Sequence, residues 1–339
     1  MDVSAFDYDL PDPAIAQEPL EPRDAARLLR VPSLEDRRFS DLPELLDPGD
    51  LLVVNRARVR AARLRAHKDT GGALEVLLLR RLDDARWEAL LRPARRVRAG
   101  TRFEVADRLA GRVLAAPRGG VAEVILEGAS DVEQLVEEVG EVPLPPYIRR
   151  SLADPERYQT IFADRLGAAA APTAGLHFTR ELLDRLEAAG VRIASVELEV
   201  GLDTFRPIAA ERLEDHRMHT ERYHVPTATV EAVEETRRAG RRIVAVGTTV
   251  VRTLEAASGT GRLRAGEGAT DLFITPGYVV RSVDALLTNF HAPRTTLVAM
   301  IAALVGPSWR IAYETALRRG YRFLSFGDAM LVEEFSPWR

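Results

Sequence analysis

The chain contains no cysteine among its 339 residues. Disulfide bonds, thiolate zinc sites and thiol nucleophiles are therefore excluded, and the sequence fits a reducing compartment. No apolar run approaches the length of a membrane span, and the acidic start of the chain lacks the basic and apolar regions of a signal peptide. We expect a soluble, cytoplasmic protein. Lysine is nearly absent as well, so arginine carries the positive charge.

A chain of this length, 46% apolar, exceeds the size at which one hydrophobic core usually suffices. Between residues 74 and 126 it reads as five short strands separated by turn residues, which is typical of a small barrel. Helices and strands alternate afterwards, which indicates an α/β domain with a mainly parallel sheet. We therefore predict an α/β protein in which residues 1–61 and 131–339 form a large domain and residues 62–130 form an inserted small antiparallel β-barrel.

The larger domain is predicted element by element from periodicity and capping residues. The predicted helices are 179–189, 227–239, 250–257, 295–305 and 308–319, and the predicted strands are 191–200, 242–247, 271–275, 321–331 and a strand that begins at Leu51.

One histidine lies in an uncharged, turn-rich segment, Ala171–Thr179, immediately before a predicted helix. Gly175 permits tight backbone geometry, and Thr179 is a good N-cap. His177 is thus expected at a helix entrance, where backbone N–H groups gather electron-rich ligand atoms. The alternative is that His177 caps a helix or bonds a neighbouring loop.

A second histidine has the same setting downstream. His291 follows Phe290 just before an apolar helix, as His177 precedes Phe178 before another. Two such histidines suggest two walls of one pocket, although each could again be a local cap.

Polar residues also follow predicted strands, where α/β proteins generally bind ligands. Asp203, Thr204 and Arg206 follow one strand, and Arg206 could grip a carboxylate or phosphate or form a structural ion pair. Gly247, Thr248 and Thr249 follow another and could hold a ribose or anion at the next helix. Their spacing is not that of a Walker loop.

His216 and His219 are three residues apart and could share a helical face, so a metal pair is one interpretation. Neither a HExxH pattern nor a third ligand is nearby, and we predict no metal site. Acid/base chemistry or ring hydrogen bonding is favoured, because imidazole titrates near neutral pH. Asp328 closes the last predicted strand, where it could be a turn former or a group at the sheet edge.

Two runs of arginine contain no acidic residue and could neutralise RNA phosphates. The alternative is a solvated surface in a chain that prefers arginine to lysine. The RNA-binding candidates are Arg56, Arg58, Arg60, Arg63, Arg95, Arg96 and Arg98.

These segments together resemble the S-adenosylmethionine:tRNA ribosyltransferase-isomerase family of queuosine biosynthesis. The matching segments run in order along the chain: Ile15–Gln17, Asp50–Asn55, Pro172–Thr179, Gly201–Pro207, His216–His219, Ala245–Leu254, Asp271–Tyr278, Thr288–Pro293 and Tyr321–Leu331. The resemblance implies a large α/β domain with an inserted β-barrel. It also implies transfer of the ribosyl part of S-adenosylmethionine to a 7-aminomethyl-7-deazaguanine base at the tRNA wobble position, giving epoxyqueuosine, adenine and methionine.

The reaction implied by the resemblance requires proton transfer, and His177, His291 and His219 are the candidates for it. Asp328 would orient an imidazole or offset the sulfonium, and Arg206 or Arg252 would bind the methionine carboxylate. Phe178 and Phe290 would stack on bases. The remaining substrate-binding candidates are Thr173, Gly175, Asp203, Thr204, Gly247, Thr248, Thr249 and Asn289. S-adenosylmethionine is a co-substrate, no other cofactor is expected, and we expect a monomer that acts on the tRNA anticodon stem-loop.

The chain departs from the family pattern most sharply at Arg56 and Ala57, where the family usually has Asp and Thr. Glu199, Asp203 and Arg222 are further departures. A divergent paralogue that binds or modifies tRNA with another substrate is therefore an alternative. A second is a sugar- or nucleoside-cleaving hydrolase with Asp203 and Asp328 as its carboxylate pair.

Overall fold

The computed structural model describes residues 1–129, 131–201, 207–259 and 261–335. The strands are β1 (Arg27–Val31), β2 (Asp36–Arg38), β3 (Leu51–Asn55), β4 (Ala57–Val59), β5 (Arg63–Lys68), β6 (Ala73–Arg81), β7 (Arg86–Arg92), β8 (Arg102–Val105), β9 (Leu109–Val113), β10 (Val121–Gly128), β11 (Arg165–Ala168), β12 (Arg192–Leu198), β13 (Glu221–Val225), β14 (Ile243–Val246), β15 (Gly266–Thr270), β16 (Ala285–Asn289) and β17 (Ala329–Val332). The α-helices are α1 (Leu42–Leu45), α2 (Val132–Val139), α3 (Arg180–Ala188), α4 (Thr227–Arg238), α5 (Thr248–Ser258), α6 (Thr296–Val305) and α7 (Ser308–Arg318).

The chain divides into two compact units. The larger unit contains residues 1–58, 145–166 and 171–339, and the smaller contains residues 59–144 and 167–170. The smaller unit thus extends beyond the predicted insertion of 62–130. It does so because α2 follows the barrel and packs against β9 and β10.

The larger unit is built on a nine-stranded sheet in the order β15-β13-β12-β3-β14-β16-β17-β1-β2. Strands β12, β3, β14 and β16 are parallel, and β3, β14 and β16 are buried along their whole length. Continuous burial is what the centre of a parallel sheet requires. Antiparallel pairs flank this centre, so the sheet is mixed rather than mainly parallel. The predicted α/β class is confirmed.

The smaller unit contains a closed barrel of six strands in the order β10-β7-β6-β5-β8-β9, with every neighbouring pair antiparallel. Buried and exposed residues alternate along β8 and β9, so one face of each strand fills the interior. Closure leaves no free strand edge. The predicted small antiparallel barrel is confirmed.

Three predicted elements of the larger unit differ in the structure. Residues 271–275 are not a strand, and the segment that pairs with β13 is the preceding glycine-rich strand β15. Glycine is needed at position 268, because the Cβ atom of any other residue would lie only 2.4 Å from the Tyr223 ring. The predicted strand 321–331 is reduced to β17. Residues 216–220 form no helix, so His216 and His219 do not share a helical face.

Within the described residues, none of the helices taken singly has both the length and the apolarity to cross a membrane. Helices α6 and α7 meet that test as a pair, but a bend of 114° separates them.

Candidate active site

The site is assembled where β3, β14 and β16 end at one edge of the sheet. Two small cavities of about 20 and 30 Å³ lie there, and Thr173, His291 and Leu297 line both of them. Tyr147, Asn289 and Ser325 also line the first cavity, and Gly247, Thr248, Thr249 and Thr288 also line the second. The sequence-predicted histidine loop and the threonine helix entrance therefore come together.

Two tyrosines hold the backbone of His291 in place. Its N–H donates to Tyr313 Oη at 3.1 Å, and Tyr8 Oη donates to its carbonyl. The Tyr8 and Tyr313 rings pack edge to face with centroids 5.2 Å apart. Two aromatic side chains thus fix the loop, and the imidazole ring faces the cavities.

The His291 ring is a neutral base in this setting. Nε2 lies 3.1 Å from Thr288 Oγ1, and Nδ1 has no partner within the described part of the chain. Burial lowers the pKa of His291 to about 3, because the charged imidazolium would lose its hydration. At neutral pH the ring is therefore uncharged, and the lone pair of its unprotonated nitrogen is not blocked by a proton.

His177 has both ring nitrogens engaged. Asn289 Nδ2 donates to His177 Nε2 at 3.1 Å, and the ring donates to the backbone carbonyl of Arg23. Asn289 is fixed further by Thr173 Oγ1, which donates to Asn289 Oδ1 at 2.8 Å. Burial is the main reason that the pKa of His177 is lowered to about 4, with a smaller contribution from the positive charges of Arg322 and Arg23. His177 thus orients Asn289 at the cavity wall, next to the Thr179 cap of α3.

Helix α5 presents its first turn to the second cavity. Gly247, the residue before it, has φ 93° and ψ 153°, a conformation that essentially only glycine adopts. Asn55 at the end of β3 braces this turn, because its amide donates to Leu198 O at 3.1 Å and to Thr249 Oγ1 at 3.4 Å. The unsatisfied N–H groups of a helix start can bind electron-rich ligand atoms.

Arg252 lies one turn further along α5 and is buried. Its Nη1 pairs with Glu221, and its Nε donates to Leu272 O at 3.1 Å. Nη2 is buried without a hydrogen-bond partner among the described residues. The charge of Arg252 is thus balanced by Glu221, and Arg252 lines neither of the two cavities. Asp203, Thr204 and Arg206 lie outside the described residues.

The carboxylate of Asp328 connects two backbone segments. It accepts the Arg27 N–H at 3.0 Å and the Arg322 N–H at 2.7 Å, and the side chain is buried. This arrangement is that of a turn former. Both oxygens are committed to backbone donors, which argues against a role in a catalytic carboxylate pair.

The two side chains predicted to stack on bases offer no open face to a ligand, although Phe290 borders the first cavity. Phe178 is fully buried between Phe39 and Phe162, and Phe290 packs on Phe323 and tyrosines. Rings enclosed in this way stabilise the core and have no free face for a base. His219 is exposed in the segment before β13 and lines neither cavity. No group of three His, Asp or Glu side chains suited to a metal occurs among the described residues.

With the site in place, the chain can be compared with known proteins. Residues 3–332 match the family model described as queuosine biosynthesis protein. The chain belongs to that family. Its resemblance, first seen in separate motifs, is thus confirmed over almost the whole sequence.

Individual relatives of this family cover the full chain. The S-adenosylmethionine:tRNA ribosyltransferase-isomerase of Symbiobacterium thermophilum is 52% identical over 98% of this chain and 100% of the relative. The protein of the same name from Moorella thermoacetica is 49% identical with the same coverage. The crystal structure of the S-adenosylmethionine tRNA ribosyltransferase from Thermotoga maritima superimposes with a TM-score of 0.56 and 39% identity, over 96% of this chain and 99% of that one.

The arginines predicted to bind RNA in this family member fall into two groups. Arg56 pairs with Glu197, Arg58 with Glu156 and Arg60 with Glu133. Arg63 donates to Leu144 O at 3.4 Å. The first run is therefore engaged within the protein. The second run consists of exposed side chains without an ion pair to any described residue: Arg95, Arg96 and Arg98.

Sequence reasoning missed the residues that shape the site without carrying charge. Tyr8 and Tyr313 hold His291, and Tyr147 Oη shares a hydrogen bond of 2.7 Å with Ser325 Oγ at the first cavity. Asn55 joins β3 to α5. Asn55 could have been predicted from the sequence, because it ends a buried strand at the sheet edge. The tyrosines could not have been predicted, because their hydrogen-bond partners are distant in sequence.

Proposed function

We propose that this chain transfers and isomerises the ribosyl part of S-adenosylmethionine onto the aminomethyl group of a 7-aminomethyl-7-deazaguanine base in tRNA. The product is epoxyqueuosine, and adenine and methionine leave. The full-length match to enzymes of that name carries the proposal. The site supports it by placing a neutral imidazole where two cavities meet.

The chemistry assigns different work to the two buried histidines. A base must remove a proton that the sulfonium activates at C5′, and an acid must help adenine leave. His291 is the base in this proposal, because Nδ1 has no partner among the described residues and the ring is uncharged. His177 is a positioning residue, since its Nε2 is occupied by Asn289.

S-adenosylmethionine would have to extend beyond the two small cavities. Cavities of about 20 and 30 Å³ each have room for about one water molecule, which is far smaller than a nucleoside. The α5 entrance would bind the ribose or the carboxylate group through backbone N–H groups and Thr248 and Thr249 hydroxyls.

The proposal includes the cellular setting. The enzyme acts in the cytoplasm, as a monomer, on the wobble position of the anticodon stem-loop. It uses S-adenosylmethionine as co-substrate and needs neither a metal nor a redox cofactor.

The decisive experiment incubates the protein with S-adenosylmethionine and tRNA that carries the aminomethyl-deazaguanine, and measures free adenine and methionine. We expect both products only when both substrates are present, with the same rate in EDTA. Loss of the rate in EDTA and its return with zinc or magnesium would contradict the metal-free mechanism. Adenine release without tRNA would indicate the hydrolase, and tRNA binding without adenine release would favour the paralogue.

A further inference from the structure

The barrel has two chemically different ends. One end is formed by the connections β5–β6, β7–β8 and β9–β10, because these three connections alternate around the closed barrel. The other end is formed by the connections β6–β7 and β8–β9 and by the end of β10. We call them the basic end and the acidic end.

The basic end concentrates arginine with little acid. The β7–β8 and β9–β10 connections, residues 93–101 and 114–120, contain no Asp or Glu, and the β5–β6 connection contributes Asp69. The strand ends beside them add Glu75, which lies opposite Arg92, and the exposed Glu104. The backbone brings the two acid-free connections together, since Gly100 N donates to Val113 O at 2.7 Å and Leu91 N to Gly120 O at 2.8 Å. The exposed arginines at this end are Arg92, Arg95, Arg96, Arg98, Arg102, Arg112 and Arg118.

Arginines at the acidic end are paired. Arg81 pairs with Asp84 and Glu133, Arg86 with Asp83, and Arg108 with Glu138. The guanidinium groups of the seven arginines at the basic end form no ion pair and no hydrogen bond with a residue that the structure describes. Arg102 and Arg112 even lie directly opposite each other on β8 and β9. Like charges at paired positions are unfavourable, so a polyanion would relieve them.

We propose that the basic end of the barrel is the docking surface for the phosphate backbone of tRNA, and that the arginine run from Arg56 to Arg63 is not. The proposal rests on tRNA being the substrate. Guanidinium groups without internal acid partners are free to bind phosphate oxygens in the fork geometry that arginine favours. To bind RNA, the arginines of the first run would have to break their ion pairs with carboxylates of the protein. These pairs are Arg56–Glu197, Arg58–Glu156 and Arg60–Glu133.

The test compares two triple variants that change the net charge equally. The first is Arg95→Gln, Arg98→Gln, Arg112→Gln at the basic end. The control is Arg80→Gln, Arg86→Gln, Arg108→Gln, which removes exposed arginines that have carboxylate partners. Binding of an unmodified tRNA transcript is measured by fluorescence anisotropy from 50 to 200 mM salt.

The basic-end variant should bind tRNA roughly 10-fold or more weakly, with a salt slope reduced by about 2.7, because each lost phosphate contact contributes about 0.9. The control should stay within about 2-fold of the natural chain. Lysine at the three basic-end positions should restore the salt slope but only part of the affinity, because lysine keeps the charge and lacks the fork geometry. Equal losses in both triple variants would overturn the proposal.

A second measurement needs no variant. Bound tRNA should shield Arg95, Arg98 and Arg112 from phenylglyoxal more than it shields Arg80, Arg86 and Arg108, as mapped by peptide mass. Uniform shielding would contradict the docking surface. Adenine release by the natural chain is measured in a separate assay.

If the natural chain releases no adenine but still binds tRNA through the basic end, the proposed reaction is contradicted and the proposed docking surface is supported.

Discussion

At the residue scale, the two buried histidines look alike in sequence and differ in the structure. Each precedes or follows a phenylalanine near a helix start, so the sequence predicted equal roles. Their hydrogen bonds separate them, since His177 is engaged at both nitrogens and His291 is not. Partners such as Asn289 and the Arg23 carbonyl are more than a hundred residues away in the chain. No local pattern reports such contacts.

His291→Asn should lower kcat for adenine release by about 100-fold or more, since the replacement removes a general base. The KM for S-adenosylmethionine should change little. His224→Asn is the matched control, because that ring lies beside Glu197 and lines neither cavity. Steady-state adenine release checks both variants. A His291→Asn enzyme with a nearly unchanged kcat would show that His291 is a structural residue.

His177→Asn should act through position rather than proton transfer. The change leaves the Asn289 amide without its imidazole acceptor, so we expect a smaller fall in kcat than for His291→Asn and a clear rise in KM. Kinetics at several S-adenosylmethionine concentrations separate the two effects. A fall in kcat as large as that of His291→Asn would make His177 a proton-transfer group.

At the element scale, prediction succeeded where periodicity and capping coincide. Helices α3, α4, α6 and α7 lie within a few residues of their predicted bounds, and Thr179 caps α3 as expected. Prediction failed where tertiary contacts decide the backbone. β15 pairs with β13 where the Tyr223 ring lies against Gly268, and Asp328 bonds the backbone of the loop before β17. Apolar composition alone had suggested a strand there.

Gly247 connects β14 to α5 and so positions the first turn of α5 at the site. Gly247→Ala should destabilise the protein by about 1–3 kcal/mol, since alanine is strained at φ 93°. The nearest atoms to a new Cβ are 3.6 Å away, so the cost comes from the backbone rather than a clash. Gly261→Ala, with open space around it, should stay within about 0.5 kcal/mol. Urea denaturation measures both, and equal values for the two variants would contradict the strain argument.

At the scale of the whole molecule, sequence spacing revealed both architectures. Short strands at even spacing indicated the barrel, and alternating elements indicated the α/β unit. The order of strands in the sheet could not be predicted from the sequence, because β1 pairs with β17 from the other end of the chain. The distribution of charge on the barrel was equally hidden. It depends on which connections share an end, and the arginine runs alone do not give that.

Stability of the whole protein should fall as the pH drops below about 6.5, the ordinary pKa of histidine. His177 and His291 have folded-state pKa values lowered to about 4 and about 3, so between those values and 6.5 the unfolded chain binds protons that the folded chain does not. Each histidine should therefore cost about 1.4 kcal/mol per pH unit in that window, and the two together about 2.7. About one pH unit above 6.5 both rings are neutral in either state, and this pH dependence disappears. Urea unfolding at pH 7.5, 6.0 and 5.0 measures the slope. His177→Asn and His291→Asn should each remove about half of it, and a double variant that keeps the natural slope would show that other groups cause the acid sensitivity.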